Sequence, residues 1–158
     1  FDSNQADRGG AVDVSGDSSF TDTGGNYTDN EATAQDGGAI RVFTDGELLV
    51  SGAVFEGNES SQAGGAIYLY QPADTVFISQ SAFQNNVAAS GDGGGILADL
   101  GASLTVAEST FDDNSTTLGS GGGIAFDPVS SGHSLTVTSS SFESNDAEDI
   151  RPAFPEHG

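Results

Sequence analysis

FQNNVAASGDGGGILADLGASLTVAEST, residues 83–110, is one copy of a unit that the chain repeats about every 28 residues. The unit has three marked elements. They are an aromatic-x-x-Asn element (Phe83–Asn86), a glycine pair followed by a small and an aliphatic residue (Gly93–Ile96), and two apolar residues separated by one position (Leu104 and Val106). Because all three elements recur in the same order, the repeat rather than the composition decides the fold.

The aromatic-x-x-Asn element occurs six times, with its aromatic residues 26, 28, 28, 28 and 31 positions apart. The copies are Phe1–Asn4, Tyr27–Asn30, Phe55–Asn58, Phe83–Asn86, Phe111–Asn114 and Phe142–Asn145. The glycine element follows the first five copies, at residues 9–12, 37–40, 64–67, 93–96 and 121–124. The apolar pairs are Leu48/Val50, Val76/Ile78, Leu104/Val106 and Leu135/Val137, and the first copy is the degenerate Phe20/Asp22.

Each repeat contains short alternating segments separated by Gly, Asn, Asp and Ser, which is typical of strands joined by turns. No stretch has the apolar spacing of a sizeable helix, and about 28 residues are too few for a four-stranded propeller blade. The sequence therefore predicts an all-β, right-handed parallel β-helix of about five to six rungs, in which each rung contacts its neighbours. We assign residues 1–150 to this repeat domain and residues 151–158, which contain Pro152 and Pro155, to a C-terminal tail.

Stacked rungs would place equivalent residues in columns about 4.8 Å apart. The predicted aromatic column is Phe1, Tyr27, Phe55, Phe83, Phe111 and Phe142. The predicted aliphatic column is Val12, Ile40, Ile67, Ile96 and Ile124, which Ile150 could extend. The predicted amide ladder is Asn4, Asn30, Asn58, Asn86, Asn114 and Asn145, whose side chains would bond to backbone groups or to one another at a turn. We interpret these columns and the glycine pairs as structural.

The composition excludes several classes of function. Asp and Glu number 24 against 3 Lys and Arg, which gives a formal net charge of −21. Nucleic-acid binding needs cationic side chains, and an anionic membrane repels such a chain. Because cysteine is absent, disulfides, thiolate metal sites and a cysteine nucleophile are excluded. We therefore expect no nucleic-acid partner, and we expect no membrane insertion because no apolar stretch approaches the ~18 residues that a membrane helix needs.

The alternation of Gly-Gly-Ala-Ile and Phe-x-x-Asn elements over residues 1 to about 150 resembles the repeats of chlamydial polymorphic outer-membrane proteins. It is also similar to the wider set of right-handed parallel β-helix repeats on prokaryotic cell surfaces. The resemblance implies a passenger or stalk region, exposed at the cell surface and involved in adhesion. The C-terminal barrel expected of an autotransporter is absent from this sequence.

We expect the chain not to be an enzyme. A β-helical polysaccharide lyase needs a basic residue beside acidic calcium ligands, and an inverting hydrolase needs carboxylates in a cleft. Arg41 follows inward Ile40 and is expected to point outward, near Asp45 and Glu47, in a surface ion pair. The other basic residues are Arg8, Arg151, His133 and His157. The adjacent carboxylates Asp112 and Asp113 are the best acidic pair, but other repeats hold different residues there, which indicates a solvated turn.

We expect no cofactor, with calcium as the alternative, because oxygen ligands are abundant. The weak candidate ligands are Asp36 and Asp92, just before their glycine pairs, and Asp99, just after one. The calcium-binding pattern Gly-Gly-x-Gly-x-Asp is not reproduced, so diffuse cation screening is the alternative. Ice binding would need Thr-x-Thr rows, whereas Thr75, Thr105 and Thr136 suggest only one partial column.

The predicted function is that of an extracellular structural and adhesive solenoid. Phe1 already occupies the aromatic column and no capping helix precedes it, so we expect either a piece of a longer solenoid or head-to-tail stacking into a filament. The expected partners are thus further copies of the chain, and a surface glycan or a receptor on a host or neighbouring cell. The alternative is a carbohydrate-binding or polysaccharide-degrading β-helix protein. Tyr68 and Tyr70, outward if Ile67 is inward, are the candidate glycan contacts.

Overall fold

The computed structural model describes residues 1–72, 76–127 and 133–147. These residues form a β-solenoid built from four parallel sheets, with about 28 residues per coil. Within the described ranges there is no helix long and apolar enough to span a membrane. The predicted tail at 151–158 and the proposed aliphatic position of Ile150 lie outside the described residues.

Each of the first five coils contributes one strand to every sheet, the described part of a sixth adds one strand to the first sheet, and successive coils pair in parallel. Sheet 1 contains β1 (Gln5–Ala6), β5 (Glu31–Ala32), β9 (Glu59–Ser60), β13 (Val87–Ala88), β17 (Ser115–Thr116) and β21 (Asp146–Ala147). Sheet 2 contains β2 (Val12–Ser15), β6 (Ile40–Phe43), β10 (Ile67–Tyr70), β14 (Ile96–Asp99) and β18 (Ile124–Asp127).

Sheets 3 and 4 complete the coil. Sheet 3 contains β3 (Ser19–Thr23), β7 (Glu47–Ser51), β11 (Val76–Ser79), β15 (Leu104–Ala107) and β19 (Leu135–Thr138). Sheet 4 contains β4 (Asn26–Thr28), β8 (Val54–Glu56), β12 (Ala82–Gln84), β16 (Thr110–Asp112) and β20 (Ser141–Glu143). The strands pair so that equivalent repeat positions face each other, as Phe83 does with Phe55 and Phe111.

The aromatic residues of sheet 4 stack through the core. From Phe1 to Phe142 the six rings form one pile, with neighbouring centroids 4.6–4.8 Å apart and planes within 8° of parallel. The four inner rings are buried, whereas Phe1 and Phe142 are 53% and 46% exposed. The aliphatic residues of sheet 2 and the apolar pairs of sheet 3 fill the rest of the core. A narrow core of this kind is filled by a few apolar residues per coil, which explains how a chain with 35% hydrophobic residues folds.

The asparagines form a second column, in which every amide is used. Asn58 donates from its Nδ2 to the Oδ1 of Asn86 at 2.9 Å and to the carbonyl of Tyr27 at 2.9 Å. Its backbone N–H donates to the same Oδ1 at 3.1 Å. Because Asn58 and Asn86 are fully buried, an unpaired amide there would cost about 1–3 kcal/mol. The ladder therefore binds each coil to the next at a position that water does not reach.

The two positions of each glycine pair require glycine for different structural reasons. The first adopts a positive φ, for example +72° at Gly37 and +64° at Gly64, which favours glycine. The second leaves no room for a side chain, because a Cβ on Gly65 would collide with the carbonyl oxygen of Gly94 on the next coil. The glycine element therefore sets the distance at which neighbouring coils pack.

The outer face of sheet 3 carries the threonines. Thr105 and Thr136 share a column with Thr21, but Leu49 and Phe77 stand between them. Thr75, which the sequence placed in this column, lies outside the described residues. The threonine column is therefore interrupted on the coils in the middle of the sheet.

Replacing Gly65 with Ala should lower the free energy of unfolding by about 3 kcal/mol, because the new methyl group forces two coils apart. The control is Gly52→Ala, at a positive φ of 68°, where a Cβ would meet only backbone atoms of Gly24 at 3.9–4.0 Å, which should cost about 1 kcal/mol. Urea unfolding followed by far-UV circular dichroism measures both values. Equal losses in the two variants would contradict the role of close packing at Gly65.

Candidate functional site

The outer face of sheet 2 combines aromatic and acidic side chains, and we call it the lateral face. Its side chains form two columns that run along the solenoid axis. The first column is Asp13, Arg41, Tyr68, Leu97 and Ala125, and the second is Ser15, Phe43, Tyr70, Asp99 and Asp127. These side chains point outward because they alternate with inward residues of the core, such as Ile67 and Leu69.

Part of the first column is covered. Tyr68, Leu97 and Ala125 pack with Ala63, from the segment that precedes a glycine pair, to form a small apolar cluster outside the main core. Tyr68 is consequently only 7% exposed. Its predicted outward direction is found, but its predicted availability to a glycan is wrong, since the connecting segment covers its ring.

Tyr70 remains half-buried and is paired with an aromatic residue that the sequence analysis missed. The ring of Phe43 stacks on that of Tyr70, with centroids 4.6 Å apart and planes 9° from parallel. Phe43 follows Ile40 at the interval at which Tyr70 follows Ile67, so the repeat register alone could have found it. Phe43 and Tyr70 therefore form the aromatic part of the site.

Arg41 lies at one end of this aromatic pair. Its guanidinium carbon is 4.1 Å from the centroid of Phe43, and it occupies the ring face that Tyr70 leaves free. Its Nη1 donates to Asp13 at 3.1 Å, and Asp13 also pairs with Arg8 at 2.9 Å. The expectation of an exposed Arg41 beside Asp45 and Glu47 is wrong. Arg41 is 5% exposed, because its guanidinium packs on the ring of Phe43 and pairs with Asp13 on the neighbouring coil.

Asp99 lies at the opposite end of the pair. The Tyr68 hydroxyl donates to its carboxylate at 3.3 Å. Burial raises the pKa of Asp99, and the carboxylates of Asp127 and Asp92 raise it further, while the N–H of Leu100 and the Tyr68 hydroxyl oppose the shift. Burial, followed by the charges of Asp36 and Asp99, also raises the pKa of Tyr68 above its usual value. Tyr68 is therefore a neutral hydrogen-bond donor that positions the Asp99 carboxylate.

The carboxylates of Asp36 and Asp92 accept hydrogen bonds from backbone groups of the neighbouring coil. Asp36 accepts the backbone N–H of Ala63, and Asp92 accepts that of Ser120, each on the following coil. Burial raises the pKa of Asp36, opposed by that hydrogen bond and by the charge of Arg41. Asp36 and Asp92 occupy equivalent positions two coils apart.

The described residues contain no group of three or more acidic or histidine side chains that could hold a metal ion. The three candidate calcium ligands, Asp36, Asp92 and Asp99, are accordingly not gathered into such a group. Calcium binding stays a prediction.

The other acidic and basic candidates lie apart from the lateral face. Asp112 belongs to sheet 4, and Asp113 sits in a turn with φ of 52°, where Asn85 and Gly57 hold the equivalent positions with similar angles. His133 lines a different cleft, together with Thr44 and Asp45. Arg151 and His157 lie outside the described residues.

An open cleft of about 390 Å³ adjoins the acidic end of the lateral face. Its lining includes Asp92, Ser120, Ala125 and Asp127. Tyr70, Asp99, Asp127 and this cleft thus follow one another along the axis. The arrangement offers an aromatic ring face, then hydrogen-bond acceptors, then open space.

Comparison with known proteins gives one match. A family model described as a right handed beta helix region matches residues 2–150. No curated protein and no solved structure matches the chain.

The half-buried carboxylates of Asp36 and Asp99 predict a pH-dependent stability. Since their pKa values are raised in the folded chain, their contribution to stability is fully present below the unfolded pKa of about 3.9 and is lost as pH rises through the folded pKa. The free energy of unfolding should therefore increase as pH falls from neutral towards roughly 4.

Asp99→Asn should raise stability at neutral pH and flatten this dependence. The control Glu56→Gln removes an exposed charge from sheet 4 and reports the effect of net charge alone. Urea titrations at several pH values measure both variants. If the two variants change the pH dependence of the free energy of unfolding equally, that dependence is caused by general charge repulsion rather than by burial at Asp99.

Proposed function

Because the chain belongs to the right-handed β-helix family, whose fold by itself specifies no activity, we propose that it is a structural and adhesive solenoid that binds carbohydrate along its lateral face. The observation that carries this proposal is the half-buried Phe43–Tyr70 stack followed along the axis by Asp99 and Asp127. The resemblance of the repeats to those of cell-surface proteins supports a location at the cell exterior.

This combination of side chains suits a sugar polymer. An aromatic face packs against the apolar face of a pyranose ring, and carboxylate oxygens accept hydrogen bonds from its hydroxyl groups. Equivalent positions recur about every 4.8 Å along the axis, so a linear polymer lying along the lateral face meets a new side chain on each coil. The solenoid thereby supplies a long and rigid binding surface.

The same geometry favours binding over cleavage. A glycosidase places two carboxyl groups on either side of the scissile bond. Asp99 and Asp127 are in register on adjacent parallel strands and project from the same face of sheet 2. They would lie along one side of a bound chain rather than flank it, and we therefore propose a non-catalytic role.

Self-association through the solenoid ends is the second part of the proposal. Phe1 and Phe142 end the described aromatic column and are about half exposed, while the column between them has nearly constant spacing. A coil of a second copy placed on either ring would continue this spacing and cover the ring. Such a contact is heterologous and propagates into a filament.

Calorimetric titration with cello-, xylo-, manno- and chito-oligosaccharide hexamers tests the carbohydrate site. We expect at least one hexamer to bind, and Tyr70→Leu to weaken that binding about 3- to 10-fold through loss of the ring face. Phe77→Leu is the matched control, because Phe77 is an exposed aromatic residue on the outer face of sheet 3. Binding by none of the hexamers, or equal losses in both variants, would refute the site.

Sedimentation velocity over a range of protein and salt concentrations tests self-association. We expect larger species to appear with concentration, more readily at high salt, which screens the net charge of −21. Phe142→Glu should abolish them, whereas Phe77→Glu, which adds the same charge on the outer face of sheet 3, should not. A monomer under all conditions would disprove end-to-end assembly.

A further inference from the structure

The Phe43–Tyr70 stack has two outer ring faces, one on Phe43 and one on Tyr70, and different groups lie next to them. The guanidinium of Arg41 covers the outer face of Phe43 and is neutralised by Asp13. This end of the stack therefore already shows a complete cation site, made of an aromatic face, a cation and a carboxylate.

The outer face of Tyr70 repeats this arrangement without the cation. The next position in its column is Asp99, whose side chain is too short to cover the ring, and Asp127 follows on the next coil. In the part of the chain that the structure describes, Phe43 is the one ring stacked in parallel on Tyr70, while the ring of Tyr68 on the same strand lies 6.2 Å away and tilted by 30°. We call the surface formed by Tyr70, Asp99 and Asp127 the notch.

None of the basic side chains that the structure describes supplies a cation to the notch. The described basic side chains are Arg8, Arg41 and His133, of which both arginines bind Asp13 and His133 lines the cleft around Asp45. Asp99 is held at the rim by the Tyr68 hydroxyl, so its carboxylate is already oriented. The cleft beyond Asp127 leaves room for the rest of a ligand.

We propose that the notch binds the ammonium group of an amino-sugar polymer. This assignment rests on the proposed carbohydrate function and specifies its ligand class. The ammonium group lies against the free face of Tyr70 and pairs with Asp99 and Asp127, as the guanidinium of Arg41 does with Phe43 and Asp13. Polymers of uronic acids are disfavoured, because their carboxylates would face those of the notch.

Two oligosaccharides that differ in charge test the ligand class. Chitosan hexamer and chitin hexamer have the same backbone, but the first carries ammonium groups and the second neutral acetamido groups. At slightly acidic pH and moderate salt we expect the chitosan hexamer to bind at least about tenfold more tightly, as a cation–π contact and an ion pair would provide.

Variants separate the notch from general attraction to an acidic protein. Tyr70→Leu leaves the net charge unchanged and should weaken chitosan binding about tenfold. Asp99→Asn should also weaken it, whereas Glu56→Gln, which removes an exposed charge from sheet 4, should have little effect. Far-UV circular dichroism checks that each variant is folded.

Each result has a distinct meaning. Equal or tighter binding of the chitin hexamer would overturn the notch but leave the carbohydrate function standing. Two other results would show charge attraction only and would also overturn the notch. In the first, Tyr70→Leu leaves chitosan binding unchanged. In the second, Asp99→Asn and Glu56→Gln weaken chitosan binding equally. If an arginine hexapeptide binds more tightly than chitosan, and through Tyr70, the ligand is a basic peptide and the amino-sugar assignment is wrong. Failure of every oligosaccharide to bind would overturn both proposals.

Discussion

The close, in-register approach of successive coils is the constraint on which the rest of the structure depends. The carbonyl of one glycine pair occupies the space where a side chain on the preceding coil would project, as between Gly65 and Gly94. This approach keeps the backbone hydrogen bonds of the segment near 3.0 Å. It also brings the aromatic rings to stacking distance and lets each asparagine reach the next. Coils held further apart would lose all of these contacts together.

The repeat made the interior predictable. Ile67, Phe83 and Asn86 lie at positions that recur at a fixed interval, so the inward side of every coil could be deduced from any one of them. Parallel pairing then aligns equivalent residues without further information. The fold class therefore followed from the periodicity, although the chain is short of hydrophobic residues.

The outer surface was less predictable, because its contacts join residues that are close in space but a full repeat apart in sequence. Arg41 binds Asp13, 28 positions away, rather than Asp45 or Glu47 nearby. Tyr68 is covered by the segment around Ala63, whose path over sheet 2 leaves no signal in the alternation of the strand. Phe43 could have been predicted from the register, by comparing the outward positions of successive repeats as well as the inward ones.

The asparagine ladder has a direction. From Asn4 to Asn114 each Nδ2 donates one N–H to the Oδ1 of the asparagine on the following coil, so these side-chain hydrogen bonds all run in the same direction along the solenoid axis. Aligned amides polarise one another and strengthen the series. One end of the column therefore presents an acceptor and the other a donor, and the rod has an intrinsic polarity. Two rods that met with the same ends together would oppose acceptor to acceptor or donor to donor, whereas rods that point the same way continue the series.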